Sequence, residues 1–258
     1  MTDPDSNPTE NLPFVAPCRI LTADAPWRWL ALGWRDLRAG GLTSVACGAA
    51  IVLLSVAVVG VAAWLGTGWM LLVLLSAFIF VAPVLCLTFY AVSASLAQGR
   101  RPGVRETFRN AHGHLADALV YSLVLLVVSL LWVRAGSAVH IFFPEENPPH
   151  LTDLLVFFSI GSAIGSVFAL LAFAVSAFSL PMLVDRRTDA ITAVVTSINA
   201  VLRNKRVMLL WALIIAASVI LGFATALVGL GITMPVIGHA TWHAYREVID
   251  ASAWPAGD

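Results

Sequence analysis

Residues 43–65 read TSVACGAAIVLLSVAVVGVAAWL, twenty-three positions without a charged side chain. About 20 apolar residues in a helix, rising 1.5 Å each, cross the roughly 30 Å hydrocarbon layer of a bilayer. The run therefore predicts a membrane helix, and the rest of the chain has to be read around it. Composition agrees: the 258 residues are 59% hydrophobic and 12% charged, about half the charge of an ordinary soluble domain. Formal net charge is zero, with 15 basic and 15 acidic residues. That balance points away from a nucleic-acid partner, which calls for a basic excess.

Moving outward from this run, Gly66-Thr67-Gly68 breaks it and a second apolar run extends from Trp69 to Ser95. A charged stretch from Gln98 to Arg109 leads into a third run, Leu115–Val133. Pro144, Pro148 and Pro149 keep the loop Ala135–Asp153 from being helical throughout. The fourth run is Leu154–Val184, and residues 185–206 are charged and polar. Val207–Tyr245 then holds no Asp, Glu, Lys or Arg in 39 residues. That is too long for one span, and Gly229-Leu230-Gly231 offers a turn, so it divides into Val207–Val228 and Gly231–Tyr245. The expected fold is an all-α polytopic bundle of six transmembrane helices. Residues 1–22 read as a disordered cytoplasmic tail, 23–250 as a single membrane domain and 251–258 as a short cytoplasmic tail.

Basic residues set the orientation. Fourteen of the fifteen fall before the first span, between the second and third, between the fourth and fifth, or after the sixth. Arg134 alone lies on the other side, beside Glu145, Glu146 and Asp153. Both termini are therefore expected in the cytoplasm. Trp64, Trp69 and Trp132 would mark the outer interface, and Trp211 and Trp242 the inner one.

Each cytoplasmic segment ends in an amphipathic stretch. Trp27, Leu30, Trp34 and Leu37 share one helical face, with Arg28, Arg35 and Arg38 off it. Val104, Phe108, Ala111 and Leu115 form a second stripe after Pro102. Ile191, Val194, Val195, Ile198, Val201 and Leu202 form the third, with Asp189 as its N-cap. The second span of each hairpin carries a proline in a similar apolar setting: Pro83, Pro181 and Pro235. The pattern reads as three degenerate copies of an interfacial amphipathic helix followed by a transmembrane hairpin. Gly161 and Gly165, with Ser162 and Ser166 beside them, predict close helix packing in the fourth span.

Residues able to carry chemistry are few. His239 and His243 stand at i and i+4, share one face of the last span, and would suit a transition metal or haem. Against that, a zinc site wants a third or fourth ligand. His112 and His114 are the candidates to supply them. Asp117, just inside the third span, would join a polar network with His112 and His114, or simply favour the helix dipole. Arg186, Arg187, Arg203, Lys205 and Arg206 are candidates to contact anionic lipid headgroups. Cys18, Cys47 and Cys86 have neither metal nor redox spacing, which leaves Cys47 and Cys86 as small hydrophobes. No catalytic residue stands out: the chain holds no phosphate loop, nucleophile elbow or paired intramembrane carboxylates.

These residues resemble the DUF2189 family of bacterial integral membrane proteins over roughly Trp29–Ile249. The likeness rests on Gly33-Trp34-Arg35-Asp36-Leu37, on Asp189-Ala190 through Thr196-Ser197 with Asn204, and above all on Pro235 to Arg246. It implies a bacterial source and the cytoplasmic (inner) membrane, and it brings no activity or cofactor with it. The expected role is a non-enzymatic accessory, assembly or lipid-contacting factor, with the bilayer and another membrane protein as partners. A small transporter or channel, or a haem- or metal-handling protein using His239 and His243, are the alternatives.

The basic-residue asymmetry is checked by fusion of alkaline phosphatase. A fusion after Asp258 should be inactive and one within residues 142–150 active; the reverse pattern would overturn the orientation.

Overall fold

A computed structural model describes the backbone of residues 13–65, 68–113, 115–141 and 151–257. Within its helices the side chains of 65, 68–80, 108, 110, 111, 117, 138–141 and 153 lie outside the described set. The described chain is helical: α1 (Ala25–Leu65), α2 (Gly68–Ala97), α3 (Val104–Gly113), α4 (Leu115–Ile141), α5 (Leu151–Ser176), α6 (Ser179–Asp185), α7 (Ala190–Arg203), α8 (Lys205–Ala224) and α9 (Leu230–Val248). Large apolar side chains such as Leu53, Trp64, Leu213, Ile220 and Phe223 are exposed, whereas Asp36, Ser44, Ser93 and His239 are buried. That inversion is what a hydrocarbon solvent requires, because polar groups can be satisfied only inside the protein.

Four helical stretches among the described residues are long and apolar enough to cross a membrane: Ala25–Trp64, Ala118–Ser137, Leu154–Asp185 and Lys205–Ala224. Six spans were expected. Of the other two expected spans, α2 is described with its side chains only over Val81–Ala97, and α9 has its apolar character diluted by Thr233, Pro235, His239, Thr241 and His243.

The three amphipathic stretches all form helices. The first is continuous with its span except at Gly41, where φ is +52° and ψ −129°. Only glycine adopts that conformation without strain, and a Cβ there would meet nothing. The bend redirects the chain, and the Thr43 hydroxyl fixes it by donating to the Pro102 carbonyl (3.1 Å). The second stretch is α3. The third, α7, starts at Asp189, whose carboxylate accepts from the Thr192 N–H (2.9 Å). Burial would raise the Asp189 pKa, but hydrogen bonds from Thr192 outweigh it and hold the carboxyl below its ordinary value.

Two breaks differ from the sequence reading. The fourth run divides at Ala177-Phe178 into α5 and α6. Ser197 of α7 closes the gap, accepting from the Phe178 N–H (3.0 Å) and donating to the Ala174 carbonyl (2.8 Å). Pro181 thus sits in the first turn of a new helix, where its missing donor breaks no hydrogen bond. Pro83 and Pro235 lie inside α2 and α9. The turn between the last two helices lies at Thr225–Gly229, before Gly229-Leu230-Gly231, with Ala226 and Leu227 at positive φ. Thr225 stabilises it by accepting from the Gly229 N–H (2.9 Å). Gly231 belongs to the helix and serves contact with α1. Pro235 cannot donate to the Gly231 carbonyl, and a Cβ at Gly48 would collide with that oxygen. At Gly33 a Cβ would stand 2.5 Å from the Val236 carbonyl and 2.8 Å from the Ala240 nitrogen. The antiparallel α1 and α9 therefore meet backbone to backbone. The expected packing site in α5 is weaker: Gly165 touches only Trp132, and Gly161 faces open space.

Of the tail expected at 1–22, residues 1–12 lie outside the described residues and the remainder departs from expectation. Residues 13–22 pack against the domain instead of trailing from it. Thr196 accepts from the Ala16 N–H (3.1 Å), and Asn204 accepts from the Leu21 N–H (2.9 Å) while donating to the Arg19 carbonyl (3.0 Å). Cys18 bridges antiparallel to Ile249, and Arg186 to Ala256. Buried Trp254 anchors the C-terminal segment, its carbonyl accepting from Arg186 Nη1 (3.0 Å). Side-chain amides and hydroxyls replace the sheet partners that such extended backbone otherwise needs.

Gly48→Ala should lower the stability of the detergent-solubilised protein by about 1–3 kcal/mol through overpacking against the Gly231 carbonyl. Gly60→Ala, at a position where a Cβ meets nothing, should be neutral or raise it by up to about 1 kcal/mol. Thermal unfolding followed by circular dichroism distinguishes the two; equal shifts would refute the close α1–α9 approach.

Candidate functional site

The close approach of α1 and α9 creates a buried polar chain with α2. Gly33 and Gly40 keep the α1 surface thin, and Asp36 stands between them on the inward face with Trp29. Ser44, one turn beyond Gly40, is fully buried. Ser93 comes from α2, and His239 and His243 from successive turns of α9. Trp29 closes one end of the chain by donating Nε1–H to Glu247 Oε2 (2.8 Å) and standing edge-on to Trp211 (ring centroids 5.4 Å, 87°).

Four contacts define the chain. Ser44 Oγ lies 3.1 Å from His239 Nε2, and Ser93 Oγ lies 2.9 Å from His239 Nδ1. Ser93 Oγ donates to Asp36 Oδ2 (2.9 Å), and His243 Nε2 lies 2.7 Å from the same oxygen. Proton inventory fixes the directions. Ser93 has one hydroxyl proton and gives it to Asp36, so its oxygen accepts from His239 Nδ1–H. His239 Nε2 is then the acceptor for the Ser44 hydroxyl, and His243 donates Nε2–H to Asp36. Every donor points towards one carboxylate, so each hydrogen bond polarises the next. Arg35 Nε approaches Asp36 Oδ1 at 3.7 Å and is otherwise exposed. Phe89 packs edge-on to His239 (ring centroids 5.4 Å).

Ser44 and His239 have the separation of a nucleophile and its base, with Asp36 orienting through Ser93. Both are fully buried, however, so a substrate approaching from outside meets neither. What the arrangement does is join three helices by directional hydrogen bonds and connect Ser44, deep in the domain, to His243, partly exposed near its edge.

The structure brings His239 and His243 together as the i, i+4 spacing expects, but through Asp36 rather than as two vacant ligands. Both His239 nitrogens already have serine partners. Among the described residues, no group of three or more His, Cys, Asp or Glu side chains is placed to hold a metal ion. His112 is exposed on α3. His114 and the Asp117 side chain lie outside the described residues. Trp211 and Trp242, expected at the inner interface, are buried instead, because α1 covers Trp211 and Tyr245 packs against Trp242 (5.7 Å). Exposed Trp27 and Trp34 occupy the surface near that end, with the Arg38 guanidinium 4.9 Å from the Trp34 ring centroid.

Of the basic residues expected to contact headgroups, Arg186 is partly buried and bonded to Asp185 (3.0 Å) and the Trp254 carbonyl. Asp185 also accepts from Tyr245 Oη (2.8 Å) and from Arg246 through both oxygens (3.0 and 3.1 Å). Arg187, Arg203, Lys205 and Arg206 are exposed. Sequence reasoning missed Asp36, Ser44 and Ser93 as site residues. One signal was available: Asp36 is the only acidic residue from Ala25 to Arg105, on a helix face otherwise made of Trp29, Gly33 and Gly40. The serines gave no comparable signal.

Residues 70–185 match the family model described as predicted integral membrane protein (DUF2189). The matched interval contains Ser93 and excludes both the Gly33–Leu37 motif and the Pro235–Arg246 block. No curated protein and no solved structure matches the chain.

If Asp36 terminates the chain, Asp36→Ala should cost on the order of 2–3 kcal/mol, because it leaves Ser93 and His243 without their charged acceptor. Ser44→Ala, at the far end, should cost about 1 kcal/mol. Equal losses in thermal unfolding would contradict this order.

Proposed function

We propose that the chain is a six-span protein of the bacterial cytoplasmic membrane with both termini cytoplasmic. In this reading it acts without catalysis, as an accessory or assembly factor that contacts anionic lipid. The match over residues 70–185 and the exposed apolar helices support an integral membrane protein; the finer reading adds α2 and α9 as spans. The 30 residues of α2 and 19 of α9 correspond to about 45 and 28 Å of helix. Pro235, His239 and Thr241, which depress the hydropathy of α9, are buried, and exposed Ile232 lies on its outer side. The element order, with a short amphipathic helix before each long pair, supports the threefold plan, although the second proline-bearing element is divided at Phe178.

The observation that carries the lipid reading is the α7–α8 junction. Exposed Leu202 and Leu209 flank exposed Arg203, Lys205 and Arg206. Apolar side chains directly beside basic ones form the pattern that seats a helix end at an anionic headgroup layer. Exposed Trp27 and Trp34 on α1, and Ile191 at the start of α7, add to this belt. Buried Asn204 at the centre of the junction ties it to the N-terminal segment, so the belt is held rigidly.

Native mass spectrometry of protein extracted from mixed phosphatidylglycerol and phosphatidylcholine vesicles tests this. The wild type should retain phosphatidylglycerol preferentially. Each basic residue near an anionic surface is worth roughly 1 kcal/mol, or about fivefold. Neutralising Arg203, Lys205 and Arg206 together with glutamine should therefore abolish the preference. Unchanged enrichment, or turnover of a substrate by the pure protein, would overturn the reading.

A further inference from the structure

A cavity of about 380 Å³ lies among the ends of α2, α6 and α9 and the C-terminal segment, at the lower end of the size range of small-molecule sites. Three arginines from different elements, Arg100, Arg186 and Arg246, line it, with Leu87 and buried Trp242 as its apolar wall.

Each arginine is held by local structure. Gly99 has φ +71°, and the Gly99 and Arg100 N–H groups donate back to the Leu96 and Ser95 carbonyls (both 3.0 Å). This pattern reverses a chain after a helix and brings Arg100 to the cavity. Its guanidinium donates to Gln98 Oε1 through Nε and Nη2 (3.0 and 2.6 Å) and to Glu106 through Nη1 (3.0 Å). Asp185 holds the other two, accepting from Arg186 Nε (3.0 Å) and from Arg246 Nη1 at both oxygens.

These contacts leave donors over. Arg246 is bonded through Nη1 alone, and Arg186 through Nε and Nη1. The guanidinium fork carries further N–H groups, so Nη2 of both and Nε of Arg246 have no acceptor among the described residues. Charge is also in excess. Among the described residues Asp185 is the carboxylate that lines the cavity, and Glu106 answers Arg100 from outside it, so two carboxylates face three guanidinium groups. The competing role for such arginines is to answer the carbonyl ends of α2 and α9. None of the three side chains, however, donates to a carbonyl of these helices. An apolar ligand would leave both the donors and the charge unanswered. A phosphate answers both, because its oxygens match the guanidinium fork.

We infer that this cavity binds a phosphate group, carried on a small phosphate monoester or on a phospholipid headgroup. The site is separate from the belt at Arg203, Lys205 and Arg206 and does not rest on it.

The experiment has two arms. In the first, the full chain, delipidated in a neutral maltoside detergent, is titrated with inorganic phosphate and with glycerol 3-phosphate. Chloride keeps the ionic strength constant, and binding is read by calorimetry. In the second, protein carrying Arg203→Gln, Lys205→Gln and Arg206→Gln, which removes the belt, is extracted from vesicles of phosphatidic acid and phosphatidylcholine. Retained lipid is read by native mass spectrometry. Saturable binding in the first arm identifies a soluble phosphate as sufficient; phosphatidic acid retained in the second arm alone identifies a headgroup. In whichever arm binds, Arg100→Gln and Arg246→Gln should each weaken binding at least about tenfold, the loss of one charge-assisted hydrogen bond. Arg100 is exposed and bonded outside the Asp185 cluster, so Arg100→Gln decides the matter if Arg246→Gln lowers the unfolding temperature. Binding in neither arm, or binding indifferent to Arg100→Gln, would overturn the site. Loss of the phosphatidylglycerol preference on removal of the belt bears only on the belt.

Discussion

A carboxylate inside an apolar bundle is tolerated only where donors reach it, and Asp36 imposes that condition on three helices at once. Ser93 must come from α2 and His243 from α9, and His239 must be close enough to pass its Nδ1 proton to Ser93. The α1–α9 interface is correspondingly thin, with Gly33 and Gly48 on one side and Gly231 on the other. Larger residues at these positions would move α9 outward and lengthen the hydrogen bonds that His239 and His243 make. Glycine packing and the polar chain are therefore one constraint: the first sets the distance that the second requires.

The same economy appears where backbone leaves regular helix. Ser197 serves both sides of the α5–α6 break, Thr225 holds the α8–α9 turn, and Asn204 links the α7–α8 junction to the N-terminal segment. Each is a short polar side chain that supplies what water would supply to a soluble protein. Asn204 has a further consequence, since it fixes the exposed basic and leucine side chains of its own junction relative to the terminal segments. The proposed lipid-contacting belt is thus built on a rigid support.

Much of the architecture was legible from residue types alone. Uncharged runs located α1, α4, α5 and α8. Amphipathic spacing located α3 and α7, and Asp189 was readable as a cap. The last turn was not legible, because Gly229-Leu230-Gly231 carries a turn signal that helix packing also uses: Gly231 is glycine for the approach to Gly48, and the chain turns at Ala226 and Leu227. Residues 13–22 read as part of a disordered tail because polar, proline-containing sequence does not disclose that Thr196 and Asn204, far along the chain, will pair with its backbone. Of the site, His239 and His243 were visible as a helical pair, whereas Ser44 and Ser93 were not, since isolated serines in apolar helices usually bond back to their own backbone, as Ser122 and Ser218 do here.

The sequence by itself determined that the chain is helical and membrane-embedded, because hydrocarbon solvation depends on the length and polarity of local segments. It also determined that two histidines share a face of the last helix, because helical periodicity is local. Only the tertiary structure decided that those histidines answer to Asp36 and that Trp211 is core rather than interface. Those properties depend on which distant helices meet and how closely, a relation set by complementary surfaces far apart in the chain.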